Sequence, residues 1–207
     1  YSAYDGVDTR TARDVSTSNS TTRYNIDSFG RVTGGTTRFS STQGTVDSDG
    51  AHWTYSYTNG STSLIAIGGQ TYEKHTESTT THSNSTGSTT NVVDYQYSGS
   101  RLVGATGYTT GTTGEAVWND LNHDGDWTAN ETVIETGNLR TDNTYSIVNG
   151  AAEVVHSHTH TWGSSGDSSR DSHQYMDFDF NPAGQLVGAT GRSESTNGET
   201  VYSNGAL

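Results

Sequence analysis

One pattern dominates this sequence: apolar or aromatic residues alternate with polar ones, the alternation stops at a turn, and a second apolar run follows. A period of two is that of a half-buried β-strand, and Asn-Gly or Pro-x-Gly steps supply the backbone angles of tight turns. The pattern occurs five times, with turns expected near 27–30, 59–60, 98–100, 149–150 and 181–184. Each occurrence predicts a β-hairpin.

The repeats share residues as well as pattern. Leu-Val-Gly-Ala-Thr-Gly occurs at 102–107 and again at 186–191, which indicates duplication. The turns are spaced irregularly, unlike the fixed repeat of a solenoid, and no segment has the apolar spacing of an amphipathic helix. We therefore predict one all-β domain over residues 1–207: an antiparallel hairpin meander that closes into a sandwich or barrel to bury its aromatic face.

The chain offers little material for a core. Hydrophobic residues make up 28% of its 207 residues, the net charge is −13, and there is no cysteine to form disulfides. The small number of Lys and Arg residues argues against a nucleic-acid-binding face, and no run of about 18 or more apolar residues predicts a membrane span. The chain starts at Tyr1 without a signal-like apolar segment, as in a processed mature chain or at the boundary of an expressed segment. We expect an extracellular or cell-surface protein.

Residues 120–131 carry the clearest chemical motif. Their sequence, Asp-Leu-Asn-His-Asp-Gly-Asp-Trp-Thr-Ala-Asn-Glu, fits D-x-[DN]-x-[DN]-G-x5-E at every fixed position. Calcium takes about six to eight oxygen ligands, and this spacing supplies them from side chains, the backbone carbonyl of Asp126 and a water-mediated contact at Thr128. The expected ligands are Asp120, Asn122, Asp124, Asp126, Thr128 and Glu131. An Asx-rich turn without metal is the alternative. The loop resembles those of EF-hands and dockerins, but its flanks are not helical in pattern, so we expect a static calcium staple rather than a switch.

Three histidines, His156, His158 and His160, alternate along one predicted strand. They share a face, and such a row could hold zinc or copper as a second metal site; a polar strand face is the alternative. Asp177 and Asp179 share a face in the same way. They could form a further ion site or a glycosidase pair, or line a solvated strand face.

Three of the turns carry a further signature. Residues 24–31 read Tyr-Asn-Ile-Asp-Ser-Phe-Gly-Arg, and looser copies lie at 97–102 and 180–186. These segments resemble the YD repeats of RHS-type surface and toxin-shell proteins. The shared features are alternating aromatic or apolar residues, a turn with Gly, and Arg or Gln before an apolar run. The resemblance implies a secreted sheet of β-hairpins and no particular activity.

These features favour a structural protein over an enzyme, because the sequence lacks nucleophile-elbow, phosphate-loop and metalloprotease motifs. We predict a calcium-stabilised subunit of a cell-surface filament, matrix or adhesin that self-associates into a homopolymer by β-strand pairing. The alternative is a carbohydrate-binding or adhesive module that does not polymerise. In that case Trp53, Tyr55 and Tyr57, or Trp118 and Trp127, would present a stacking platform to glycans.

Overall fold

The computed structural model describes residues 13–46, 53–82, 87–118, 132–165 and 168–199. The calcium motif at 120–131 lies outside these residues. Ten strands are present in the described ranges: β1 Arg13–Ile26, β2 Val32–Val46, β3 Trp53–Ile67, β4 Gln70–His82, β5 Ser88–Ser98, β6 Arg101–Trp118, β7 Thr132–Val148, β8 Ala151–Ser165, β9 Ser168–Phe180 and β10 Leu186–Glu199. Every regular element of this part of the chain is a strand, so no helix there is long and apolar enough to cross a membrane.

The strands form a single antiparallel sheet in which their spatial order follows the chain from β1 to β10. The prediction of an all-β hairpin meander is confirmed. The predicted closure into a sandwich or barrel is wrong, because among the described residues β1 pairs only with β2 and β10 only with β9. The sheet is therefore open at both edges.

The sheet stays open because neither face carries enough apolar area to form an interior. Among the described residues, Val92, Val93 and Ala105 are the buried hydrophobic side chains, with exposed fractions of 6%, 8% and 7%. Many other alternating strand positions hold Thr, Ser or Asn. Closing the sheet would remove their hydroxyl and amide groups from water with little apolar gain, and burying unsatisfied polar groups is unfavourable.

Threonine pairs contribute the cross-strand contacts that a core would otherwise provide. In each pair the two residues lie directly opposite one another, and their hydroxyl oxygens are 2.8–3.0 Å apart. The pairs are Thr22–Thr37, Thr58–Thr80, Thr62–Thr76, Thr79–Thr90 and Thr141–Thr159. Opposed Thr residues of this kind each add a few tenths to about 1 kcal/mol to sheet stability. The high Thr content is thus used directly in strand pairing.

The tight turns of the described chain all lie at one end of the sheet. They connect β1 to β2, β3 to β4, β5 to β6, β7 to β8 and β9 to β10. Left-handed backbone angles at these turns fall on Gly30, Gly68, Gly69, Gly99, Asn149, Gly150 and Gly184. The other connections, including the one that contains 120–131, therefore join strands at the opposite end.

The first and last hairpins share one turn structure. Asp27 Oδ1 accepts hydrogen bonds from the backbone N–H groups two and four residues later, each at 2.9 Å. Asn181 Oδ1 accepts the corresponding two bonds, each at 3.0 Å. The hydrogen bond from the Arg31 backbone lowers the pKa of the Asp27 carboxyl. In each of the two turns, one Asx side chain thus fixes the backbone.

The turn expected near 59–60 is wrong. Asn59 and Gly60 lie inside β3, where Gly60 pairs with Phe39 of β2, and the chain reverses instead at Gly68 and Gly69. A Cβ atom on Gly60 would lie only 2.5 Å from the Phe39 ring. The glycine therefore makes room for an aromatic ring rather than for a turn.

A β-bulge occurs in every hairpin, always in the second strand close to the tight turn. The register skips one residue in each case: Thr33, Lys74, Val103, Val155 and Val187. Bulges increase the local right-handed twist of a strand pair. The five hairpins therefore share the position of the bulge, although their turns differ in length.

Candidate metal centre

A row of histidine and aromatic side chains crosses the β8–β9 pair. His156, His158 and His160 alternate along β8 and project from one face, as their spacing predicts. Across the pair they lie opposite Asp177, Tyr175 and His173 of β9. The antiparallel register thus brings a second set of titratable side chains onto the face that carries the histidines.

Asp171 joins two of these histidines. Its Oδ2 lies 2.9 Å from Nε2 of His160, and its Oδ1 lies 3.1 Å from Nε2 of His173. His160 and His173 are a direct cross-strand pair, and Asp171 is two residues along β9, which places it diagonally from His160. One ligand atom from each of the three residues lies within 4.8 Å of the others. Two imidazole nitrogens and a carboxylate oxygen are therefore close enough to bind one ion.

Ring stacking holds the imidazoles in place. The His160 ring lies 4.2 Å from His173 with a 7° angle between the planes, and Trp162 stacks on His160 at 4.5 Å. His158 stacks on Tyr175 at 4.5 Å, and its Nε2 lies 3.0 Å from Nδ1 of His173. The His173 ring thus makes polar contacts through both of its nitrogens. The contact with His158 orients the His173 ring, as hydrogen-bond partners of metal ligands do.

The electrostatics of the cluster favour a charged carboxylate. The hydrogen bond from His160 is the main cause that lowers the pKa of Asp171, assisted by the nearby His173. The side chains remain accessible, with exposed fractions of 32% for His160, 52% for Asp171 and 33% for His173. An ion could reach the three ligand atoms from solvent without opening the sheet.

The three histidines expected as a second metal site have different partners. His160 belongs to the cluster with Asp171, and His158 contacts it through His173. His156 instead binds Asp177, with 2.7 Å between Nδ1 and Oδ1. Asp177, considered above as part of a carboxylate pair, is therefore a histidine partner.

Asp171 and His173 were not predicted from the sequence as metal ligands. Their Asp-x-His spacing places both on one strand face, and this is the signal that could have identified them. Their position beside His160 depends on the register of β8 against β9, which the spacing does not reveal. The cluster is a product of strand pairing rather than of a local motif.

A polar groove of about 970 Å³ lies over the first four strands, away from the histidines. Its lining includes Arg23, Arg38, Tyr57, Asn59 and Glu77. Charged, amide and aromatic groups together can bind a polar, hydroxyl-bearing molecule. The groove is therefore a second candidate binding surface.

Neither feature can be interpreted through a relative. No protein-family model, no curated protein and no solved structure matches this chain.

Proposed function

We propose that the chain is an extracellular structural protein, a subunit of a cell-surface filament, matrix or adhesin that assembles by strand pairing between copies. The observation that carries this proposal is the pair of sheet edges that the described part of the chain leaves uncovered. β1 and β10 each contain 14 residues, and among the described residues nothing pairs with their outer sides. An unpaired strand exposes a row of N–H and C=O groups that another strand can bind.

The number of strands favours a head-to-tail arrangement. In an antiparallel meander of ten strands, β1 and β10 run in opposite directions. A copy placed beside β10 with its own β1 adjacent would continue the antiparallel order without interruption. Such a contact uses two different surfaces, so it produces an open filament unless the rotation closes a ring. At about 4.8 Å per strand, each copy would add about 48 Å to the filament.

Exposed apolar side chains support the same arrangement. Tyr24 and Ile26 on β1 have exposed fractions of 53% and 63%, and Leu186 and Val187 on β10 have 55% and 65%. All four lie near the tight-turn end of the sheet. On β9, the inner strand of the last hairpin, Phe178 is less exposed than these four side chains. Pairing of β10 with β1 of the next copy would cover part of the four edge side chains.

Calcium has a role at 120–131 in this proposal. Asp120 and Glu131 would bind one ion through oxygens about 2.3–2.6 Å from it, so their carboxylates would lie within about 5 Å of each other. Trp118 and Thr132, which flank the segment, are a direct cross-strand pair, and such pairs hold their Cα atoms about 4.5–5.5 Å apart. The spacing of Trp118 and Thr132 is therefore compatible with the carboxylates of Asp120 and Glu131 sharing one ion. The ion would hold the longest connection of a chain that has no disulfide.

Blocking one edge at a time tests the assembly. Ile26→Lys places a charge on the β1 edge, and Leu186→Lys places one on the β10 edge; both sites are exposed, so the fold should tolerate the change. Wild-type protein should form concentration-dependent filaments visible by electron microscopy, and each variant alone should stay monomeric in sedimentation. An equimolar mixture should form heterodimers only, because each variant retains the edge that the other lacks.

Val103→Lys is the matched control. Val103 is 49% exposed but lies in β6, inside the sheet, so this variant should assemble like the wild type. Monomeric wild-type protein at high concentration in calcium would refute the proposal. Homodimers of either single variant would refute the head-to-tail arrangement, because they would require two identical edges to pair.

A carbohydrate-binding module is the second candidate function, and the polar groove favours it. Tyr57 lines the groove and is 39% exposed, and Tyr55 two residues earlier on the same face is 46% exposed. Exposed aromatic faces beside amide and charged groups are suited to binding sugars. A glycan array probed with wild-type protein and with Tyr57→Ala tests this function. Absence of any ligand, or binding unchanged by the substitution, would exclude the groove as a sugar site.

A further inference from the structure

We propose that His160, Asp171 and His173 bind one zinc ion that clamps β8 to β9. This site is independent of the calcium motif and of assembly. His160 comes from β8, whereas the other two ligands come from β9, so an ion bound by all three would tie the two strands together. Two histidines and one carboxylate, with a fourth position left open, are an established set of zinc ligands.

Binding of the ion requires a small change in distance and a rotation of two rings. Zinc binds imidazole nitrogen and carboxylate oxygen at about 2.0–2.2 Å, so a tetrahedral site separates two such ligand atoms by about 3.4 Å. The nitrogen–oxygen distances at Asp171 are 2.9 Å to His160 and 3.1 Å to His173. Side-chain rotations would have to open these contacts by a few tenths of an ångström and turn the His160 and His173 rings out of their parallel stack, so that both Nε2 atoms point at the ion. The backbone of the paired strands can stay where it is.

The ligand chemistry selects a borderline divalent ion. Calcium and magnesium prefer oxygen ligands, and copper(I) prefers thiolate or thioether sulfur, whereas imidazole suits zinc and copper(II). The chain has no cysteine, and its one methionine, Met176, lies opposite Ser157 rather than on the histidine row. Two nitrogens and one carboxylate oxygen therefore favour zinc over calcium at this site.

His158 would orient His173, one of the three ligands of the ion. Coordination through Nε2 of His173 leaves the proton on Nδ1, which lies 3.0 Å from Nε2 of His158. His173 would donate this hydrogen bond to His158, which fixes the tautomer that metal binding requires. Loss of an outer partner of this kind typically weakens metal affinity about 10–100-fold.

Calorimetric titration tests the site. The full chain, stripped with a chelator and then saturated with calcium to occupy other carboxylate sites, is titrated with zinc near neutral pH. One equivalent should bind, and His160→Gln, Asp171→Asn or His173→Gln should each weaken binding more than about 100-fold, whereas His158→Gln should weaken it about 10–100-fold. Circular dichroism of each variant checks that the sheet has formed.

His75→Gln is the matched control. His75 contacts Asp94 across β4 and β5 at 2.8 Å, and no other histidine of the described ranges contacts this carboxylate, so its removal should leave zinc affinity unchanged. Equal weakening by His75→Gln would overturn the proposal, as would zinc binding that survives Asp171→Asn and His173→Gln together.

Fluorescence supplies a second, local readout. Trp162 stacks on His160 at 4.5 Å, so copper(II) bound at the same site should quench it strongly. The quenching should disappear in Trp162→Phe and in Asp171→Asn. Quenching that persists in both variants would place the ion elsewhere and refute the assignment.

Discussion

A methyl group added at Gly60 probes how closely β2, β3 and β4 pack. The Cβ atom of Gly60→Ala would lie 2.5 Å from the backbone oxygen of Glu77, 2.5 Å from the Phe39 ring and 2.8 Å from Cβ of Ser78. One of these atoms is backbone and cannot rotate away. The residue has no left-handed backbone angle, so the cost is purely steric.

The expected loss follows from two opposing effects. Overpacking of this kind costs about 1–3 kcal/mol, and replacing a strand glycine with alanine returns about 0.5–1 kcal/mol of chain entropy. We expect a net loss of about 1–2 kcal/mol, which lowers the Tm by about 2–8 °C for a chain of this size. Thermal unfolding followed by circular dichroism measures the change.

Gly104→Ala is the control for this prediction. It is also an interior strand glycine, but the nearest atom to its added Cβ is Oε1 of the flexible Gln96 side chain, at 3.2 Å. This variant should be neutral or slightly more stable than the wild type. A Tm for Gly60→Ala that equals or exceeds the wild-type value would contradict the packing of Phe39 over β3.

Three further predictions concern the turns, the Thr pairs and the calcium motif. The pKa of Asp27 is lowered in the folded protein, so the charged carboxylate stabilises the fold above the ordinary aspartate pKa of about 3.9, and this contribution is lost as the pH falls below that value. Asp27→Asn should keep the turn but reduce the pH dependence of stability in acid, as measured by unfolding at a series of pH values. Thr62→Val should cost about 1 kcal/mol in chemical denaturation, because the Thr76 hydroxyl loses its partner 3.0 Å away, and the double change to Val should restore most of this loss. Calcium at about 100 times its Kd should stabilise the protein by about 2.7 kcal/mol relative to chelator. Glu131→Gln should abolish this gain, whereas Asp49→Asn should not, because Asp-Ser-Asp-Gly at 47–50 matches only part of the motif.

The sequence was most informative where one residue sets the local backbone. Asp27 and Asn181 each fix a turn through their own side chain, so the turns near them could be read directly. Asn59-Gly60 carries an equally strong turn signal, yet it lies in a strand, because Phe39 on the neighbouring strand needs the space above Gly60. A local sequence pattern cannot predict that a residue on the neighbouring strand needs this space.

The same limit applies to the larger architecture and to the metal cluster. Alternation predicted the strands, but whether they close depends on the total apolar area, and the Thr, Ser and Asn positions leave both faces wet. The histidine row on β8 was visible from its spacing. Its partners, Asp171 and His173, became visible only once the register of β9 was known.

The repeated bulge has a consequence for how such a chain can change in length. The two copies of Leu-Val-Gly-Ala-Thr-Gly lie at the start of β6 and β10, and in both the second residue, Val103 or Val187, is the bulged one. Because each hairpin touches only its neighbours, duplicating one would lengthen the sheet without any rearrangement of a shared core. Evolution could therefore adjust the span of this protein in steps of one hairpin, and an engineer could do the same.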